Sequence, residues 1–419
     1  MKKAIERSRP RIAIVGAGLA GLSAAYYLRK KADVTIFEAS ERTGGRILTS
    51  RRLRGEHGAE FLLTSEGTIC RLLKALKVKR SPVISDWPGY LFRGHFTCGK
   101  PGKPQLKQVL SSSSDDRVMR LFDLVKRGSW RKKQQPADRW LSSFLCHDRQ
   151  AIQFVSMLLA GETCAPLSHL RTEYVLECLW SFLDDDEWYR VHGGSKKIVD
   201  ALVEQSRARV RVDAQVNGVS PMRGRVLVRW TQNDNDKSEI FDAVIVVTPK
   251  GERLVGEPLC RHFHGYLNIL LEFTKQPRLK ADPDFDLARG LYIDSSLNYL
   301  ELTRRSPGSY VLRILIPNAE KQLRWADRRI ISLCTRQLRQ ILINADTMST
   351  WSVKRWRFGL PCGGSKELFR KVSNHIYLAG DRFGKWPSMN SAIVSGLSAA
   401  GALQFVTRGG GRNGGQTVS

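Results

Sequence analysis

Apolar positions along this chain cluster in short runs broken by glycine, a pattern that predicts buried strands alternating with helices. Ile12–Val15 is one such run; it ends in Gly16-Ala-Gly18-Leu19-Ala20-Gly21, and an Ala/Leu-rich helical pattern to Leu28 follows directly. A second run, Val34–Phe37, stops at Glu38, and a third, Phe241–Pro249, closes on proline. His264–Phe273 alternates and reads as a strand. Helical spacing appears at Trp140–Leu145 and Tyr174–Leu183. Pro101, Pro104 and Ser111–Ser114 mark a loop, and residues 408–419, rich in glycine and arginine, read as a disordered tail. There is no internal repeat.

A strand, a glycine turn, a helix, a second strand and an acid within about thirty residues is the arrangement that holds a dinucleotide. Gly16 permits the turn, Gly18 lets the backbone approach a pyrophosphate, and Gly21 lets helix and strand pack closely. The unpaired N–H groups at the helix start, on Leu19 and Ala20, favour the anionic phosphates. Glu38, 17 residues after Gly21, is placed to accept from an adenosine ribose, and its charge disfavours a 2′-phosphate, hence NADP. Gly44-Gly45-Arg46 follows, bringing flexible backbone and a cation to the same place. No second Gly-x-Gly-x-x-Gly sits between an apolar run and a helical pattern (Gly409 to Gly414 matches only within the low-complexity tail), which disfavours a separate nicotinamide site.

Further segments carry a resemblance through most of the chain. They are Gly58-Ala59-Glu60-Phe61, Val191-His-Gly193-Gly194, Val210 to Val216, Phe241 to Pro249, Gly380-Asp381, and Met389-Asn390 followed by a small-residue helix. Together with the glycine turn, Glu38, Gly45 and Arg46, they resemble the flavin-containing amine oxidase superfamily. That group includes monoamine and polyamine oxidases, L-amino-acid oxidases, protoporphyrinogen oxidases and carotenoid desaturases. The resemblance implies FAD, with Gly58, Ala59 and Glu60 beneath the flavin and Val216 on the adenine side. It implies Asp381, after Gly380, at the ribityl–phosphate region, and the helix start at Met389 and Asn390 at the pyrimidine edge. The fold class expected is α/β: a discontinuous Rossmann-type FAD-binding domain (11–80, 190–250 and 352–407) with an interleaved α+β substrate domain (81–189 and 251–351).

The catalytic side departs from the amine oxidases. They commonly keep a lysine facing flavin N5, and the matching position here is Asn268, on a strand where a polar side chain can equally be structural. Trp356 can supply one aromatic of a substrate cage; Ser388 stands where a tyrosine is frequent, and Asn390-Ser391 replaces Glu-Gly. No cysteine lies near 355–357 and Cys362 reads as a loop thiol, so the FAD is expected to be non-covalent. These departures shift weight towards desaturase- or dehydrogenase-like members.

Composition changes the picture in one respect. There are 68 Lys+Arg against 40 Asp+Glu, a formal net charge of +28 that draws the chain to anionic surfaces. A globally basic surface is the plain reading, and peripheral association with an anionic membrane comes next. Without a nucleic-acid fold signature, nucleic acid is disfavoured. No apolar run approaches the roughly 20 residues that span a bilayer, and the first ten residues lack a signal-peptide apolar region. Eight cysteines without Cys-x-x-Cys read as reduced thiols in a cytoplasmic protein. The alternating Cys260, His262 and His264 lack an evident fourth ligand, so no metal is expected. Asp184–Glu187 reads as a solvated loop or an entrance attracting a cationic amine, and Glu56-His57 as packing or a proton relay. The function expected is dehydrogenation of an amine-bearing or largely apolar small molecule by hydride transfer to N5, with O2 or another acceptor. The alternatives are an FAD-dependent isomerase or mutase, and a non-catalytic FAD-containing binding protein.

Overall fold

A computed structural model describes residues 9–403 apart from 84–86, 129–134, 185–186, 259–261, 363–364 and 385. The tail 408–419, the last residues of the 352–407 piece, Cys260, and two acids of the 184–187 run lie outside the described residues.

Two sheets organise the chain. The first has six strands in the order Arg370–Lys371, Ile376–Leu378, Ala243–Val246, Arg11–Val15, Asp33–Phe37, Arg209–Arg211. All neighbours pair in parallel except the antiparallel Arg370–Lys371 edge. Its central strands are continuous apolar runs because both faces are covered. Ile12 and Ile14 point to the helices Leu19–Leu28, Lys196–Ser206 and Met389–Gly401. Ala13 and Val15 point the other way, to an antiparallel meander (Gln215–Met222, Arg225–Gln232, Asn235–Phe241) that contributes Val216, Val226, Val228 and Trp230. The first and last helices cross closely. A Cβ on Gly396 would lie 2.0 Å from the Ala20 carbonyl oxygen, so the small-residue pattern of the last helix is what lets it dock.

The second sheet is mixed and seven-stranded, in the order Met348–Pro361, Phe263–Phe273, Ser309–Ile316, Tyr299–Ser306, Leu291–Ile293, Gly89–Phe92, His95–Cys98. Side chains alternate across Phe263–Phe273. Leu267, Ile269, Leu271 and Phe273 pack on the Asp327–Ile341 helix side, leaving Tyr266, Asn268 and Leu270 for the opposite face. That face is buried too, so the strand is covered on both sides although its sequence alternates. The helices Ser112–Arg127, Ala137–Phe144, Arg149–Thr163 and Thr172–Leu183 form their own core, which meets the sheet at Tyr90, Phe92 and Tyr292.

Residues 352–361, grouped by sequence with the pieces of the first sheet, are hydrogen-bonded here into the second, against Phe263–Phe273. The Met348–Pro361 strand runs through the expected boundary at 352, and long-range pairing of this kind leaves no mark at the boundary residue itself. A three-stranded sheet, Phe61–Leu63, Trp188–Val191 and Arg80–Pro82, lies between the two large ones in sequence. Among the described residues no helix is long and apolar enough to cross a membrane.

Candidate active site

The glycine turn opens at the C-terminal ends of the parallel strands. The Gly16 N–H donates to the Phe37 carbonyl oxygen at 2.8 Å, tying the turn to the neighbouring strand. A Cβ on Gly21 would lie 2.1 Å from the Gly16 carbonyl oxygen, whereas one on Gly18 would meet nothing nearer than the Gly45 Cα at 4.0 Å. Gly21 is therefore a packing residue, and Gly18 fronts open space. The Leu19–Leu28 helix has no side-chain cap and no acid in its first turn. Its leading N–H groups are left for a ligand, and the helix dipole makes that ligand an anion.

These groups line a cavity of about 1310 Å³ that also takes in Gly16, Glu38, Gly45, Arg46, Gly58, Ala59, Glu60, Val216, Gly380, Asp381 and Met389. Glu38 accepts from the Ala17 N–H at 2.9 Å with one carboxylate oxygen and from the Ser40 N–H and hydroxyl with the other. Arg46 donates to the Gly359 carbonyl and, at 2.6 Å, to Asp381. Burial works against its charge, but the neighbouring Asp381 carboxylate more than offsets this and raises the guanidinium above its ordinary pKa. A Cβ on Gly58 would lie 1.8 Å from the Arg46 carbonyl oxygen, so the segment after Glu56 presses against the arginine's own backbone. Gly380 is held by its N–H to the Ser395 hydroxyl at 2.9 Å.

Two of the expected residues make further contacts that the resemblance did not imply. Asn390 does not line the cavity; its amide oxygen accepts from the Ile69 N–H at 3.0 Å and joins the last helix to Gly67–Ala75. Glu60 is on the cavity wall but belongs to an ion cluster: it pairs with Arg190 at 2.8 Å and Arg313 at 3.0 Å. Glu301 completes the cluster, with Arg313 at 2.7 Å and with Arg190. Burial opposes the Arg313 charge, and Glu60, the largest opposing influence, helps raise its pKa above the ordinary value.

The catalytic candidates face the same space. Asn268 is buried beside His57, close enough for its backbone and side chain to act on the imidazole. Directly across from Asn268 on the next strand stands Lys354, whose Nζ lies 4.9 Å from the Trp356 ring centroid. Burial, then the charge of Arg42, lowers the Lys354 pKa. Trp356 donates its indole N–H to the His57 carbonyl. Tyr266 lies beside it with ring centroids 6.4 Å apart, a second aromatic supplied by the Phe263–Phe273 strand. His57 bonds Ser352 through Nε2 at 3.0 Å, and burial pushes its pKa down to about 4, so it is neutral at pH 7. Glu56 faces away, holding Thr49 and the Ser195 N–H, with burial raising its carboxyl. It pins the Gly193-Gly194 turn.

His264 is occupied by Glu320 at 2.7 Å and His169 at 2.8 Å, and among the described residues no group of three or more His, Cys, Asp or Glu is placed to hold a metal. Asp184 and Glu187 do line the cavity.

Comparison with known proteins settles the family. The model of the flavin containing amine oxidoreductases matches residues 19–404.

The chain belongs to this family of flavin containing amine oxidoreductases.

It is 28% identical over 185 residues to protoporphyrinogen oxidase 2, chloroplastic/mitochondrial, of Arabidopsis thaliana, covering 42% of this chain and 36% of that protein. It is 24% identical over 266 residues to the putative flavin-containing monoamine oxidase AofH of Mycobacterium tuberculosis, covering 57% of each. The chain thus spans between a third and three-fifths of these two relatives. The solved structure of cyclohexylamine oxidase from Brevibacterium oxydans shares the fold, with a TM-score of 0.74 at 15% identity over 94% of this chain and 98% of that one. A flavin is the family's cofactor, and the cavity's open glycine turn, uncapped helix start and buried Arg46–Asp381 pair are chemically suited to hold one.

Sequence reasoning missed several wall residues. Arg42 donates to the Thr43, Gly45 and Ile47 carbonyls and so shapes the Gly44-Gly45 loop. A cation just ahead of the glycine pair was the available signal. Lys354, Tyr266, Arg313 and Glu301 had none, because each acquires its place only when distant strands pair.

Proposed function

We propose that the protein is an FAD-dependent oxidoreductase acting on an amine-bearing or largely apolar small molecule, with the cofactor held non-covalently. Bound FAD would supply the two-electron chemistry, a hydride-accepting position at N5 whose electrons would pass on to O2 or another acceptor. The observation that carries the reading is the single cavity that joins a dinucleotide turn to an aromatic wall, in a chain of this family.

The chain's own residues would divide the work. The N–H groups of Leu19 and Ala20 take the phosphates, with Gly18 and Gly45 letting backbone come close. Arg46, kept charged by Asp381, adds a fixed positive charge; Glu38 takes the ribose. Tyr266 and Trp356 exclude water and orient a flat or apolar substrate. Lys354, whose pKa burial lowers, stands within the cavity as the amine placed to exchange a proton with a bound substrate. Among the described residues Cys164 and Cys178 are the thiols on the wall, and burial pushes both well above the range where a thiolate forms, which supports non-covalent attachment.

The same proposal places the protein in the cytoplasm, with its basic surface available to anionic membrane faces rather than nucleic acid. The deciding test is the visible spectrum of the purified protein before and after anaerobic addition of an amine, amino-acid and tetrapyrrole panel. FAD released by denaturation, and bleaching by one compound, are expected. A protein that carries no flavin even after reconstitution would sink the proposal.

A further inference from the structure

The helix Asp327–Ile341 covers the second sheet on the side away from the cavity. Its apolar stripe, Ile330, Ile331, Cys334 and Leu338, shares a core with Leu267, Ile269, Leu271 and Phe273. The stripe turned to solvent repeats at helical spacing through Arg328, Ser332, Arg336 and Arg339, all four exposed. With Thr335 and, from the neighbouring strand, Trp351, these residues line a groove of about 550 Å³.

Two features set this groove apart in a chain that is basic throughout. The helix carries four arginines against Asp327, the largest excess in any helix among the described residues. Ser112–Arg127 sets four bases against three acids, Lys196–Ser206 two against two, and Gly67–Ala75 has two bases and no acid. The charges are also left over. Asp327 is taken by Arg355 at 2.5 Å and Asp346 by Arg339 at 2.5 Å, while among the described residues no acid pairs with Arg328 or Arg336. None of the nearby acids, Asp282, Asp284, Asp327 or Asp346, lines the groove. Its C-terminal end adds a further cation and an apolar tip. Lys280 donates to the Arg339 carbonyl oxygen at 2.6 Å, and Ile343, just past the helix, is 39% exposed.

We propose that this groove is where the protein docks on an anionic phospholipid surface, with Arg328, Arg336 and Arg339 at the headgroup phosphates and Ile343 in the interfacial layer. Cations in a row are drawn to such a surface, and an aliphatic tip beside them gains by leaving water. A nucleic acid would use the arginines but has no use for Ile343, and the Trp325 ring near the other end is covered by Arg329 at 4.1 Å rather than open for a base to stack on. The inference rests on the membrane part of the reading above and narrows it from a basic surface at large to one face.

Docking there fixes an orientation. The Phe263–Phe273 strand turns Leu267, Ile269 and Leu271 to the helix side and Tyr266 and Asn268 to the cavity. An attached molecule therefore keeps the second sheet between the lipid and the cavity.

The test is sedimentation of the full chain with vesicles of phosphatidylcholine alone, and of phosphatidylcholine mixed with phosphatidylserine, at low and high salt. Wild type is expected to bind the mixed vesicles, to release them as salt rises, and to ignore phosphatidylcholine. Arg328→Gln combined with Arg336→Gln should weaken binding at least about tenfold. Removing two equal charges elsewhere, by Arg71→Gln with Lys74→Gln on the Gly67–Ala75 helix, should change it less than about twofold, because salt screens charges distant from the surface. Ile343→Ser should weaken binding while leaving its salt dependence as in wild type. Thermal unfolding checks that each variant keeps its fold. Equal losses in the two double variants would assign the attraction to overall charge and overturn the groove, as would mixed vesicles that bind no better than phosphatidylcholine. Vesicles ignored by a protein that instead binds single-stranded RNA through Arg328 and Arg336 also overturn it. Flavin content, read from the visible spectrum of the same samples, separates the two readings. A flavin-free protein that binds through the groove counts against the oxidoreductase reading alone, and a flavin-bearing one that does not bind counts against the docking surface alone.

Discussion

The two walls of the cavity are built in opposite ways. The wall around the glycine turn comes largely from one stretch of chain, residues 12–46, and offers backbone N–H groups, two glycines facing each other and a single buried ion pair. The wall around the second sheet draws on residues 60, 162, 190, 266, 301, 313 and 354, scattered across six secondary-structure elements and the flank of a seventh, and offers side chains. A ligand with fixed geometry can be met by local backbone, because a turn and a helix start present the same donors in every chain that forms them. A wall that distinguishes one small molecule from another needs side chains whose neighbours are set by strand pairing.

The largest expected effect lies in the second wall. Arg313→Met should destabilise the fold by about 3–5 kcal/mol, because it strands Glu60 and Glu301 with Arg190 alone. Thermal unfolding checks this, and adding Glu301→Gln should recover part of the loss. If the single variant unfolds like wild type, the cluster is not holding that wall together.

The next effect depends on pH. Unfolded His57 takes a proton near pH 6.5, whereas in the fold it does so at about 4. Its contribution is thus complete above about 6.5 and is lost as pH falls towards 4, by at most about 3 kcal/mol. Melting curves of wild type and His57→Gln across that interval should converge at the acid end. Parallel curves would mean that His57 is not buried as described.

Smaller, and aimed at the first wall, is a paired test of its glycines. Gly21→Ala should cost about 1–3 kcal/mol through its clash with the Gly16 carbonyl. Gly18→Ala should leave stability unchanged and lower flavin retention, since its Cβ enters open space. Should both variants lose stability alike, the distinction between packing and ligand-facing glycines fails. Least of all, Glu38→Ala should weaken FAD retention by about tenfold, or about 1.4 kcal/mol, read by equilibrium dialysis. Unchanged retention would leave Glu38 with the loop bracing role alone.

The strands Arg11–Val15 and Asp33–Phe37, the turn and the first helix were legible because each rests on contiguous residues with a period or a glycine signature. The strand at Phe263–Phe273 was legible as well, but not its double burial. Alternation announced one covered face, and only the packed 48–58 segment covers the other. Asn268 could be singled out by resemblance, yet the lysine across from it could not, since residues 268 and 354 meet solely through antiparallel register. Trp356 was noted as half of an aromatic pair; its partner Tyr266 sits 90 residues earlier. Asn390 was singled out for the backbone N–H groups of its helix start, and the pairing of its side-chain oxygen with the Ile69 N–H had no mark in the sequence, since 321 residues separate them.

What the sequence determined by itself, then, is the part whose physics is local: which segments form strands and helices, where a glycine must stand, and that a helix start is left uncapped for an anion. Tertiary structure alone decided which charges are matched. Arg46 found Asp381, Glu60 found Arg190 and Arg313, and Glu162 found the Tyr292 hydroxyl. Charge pairing depends on distance and burial, and neither is defined until the two sheets are in place.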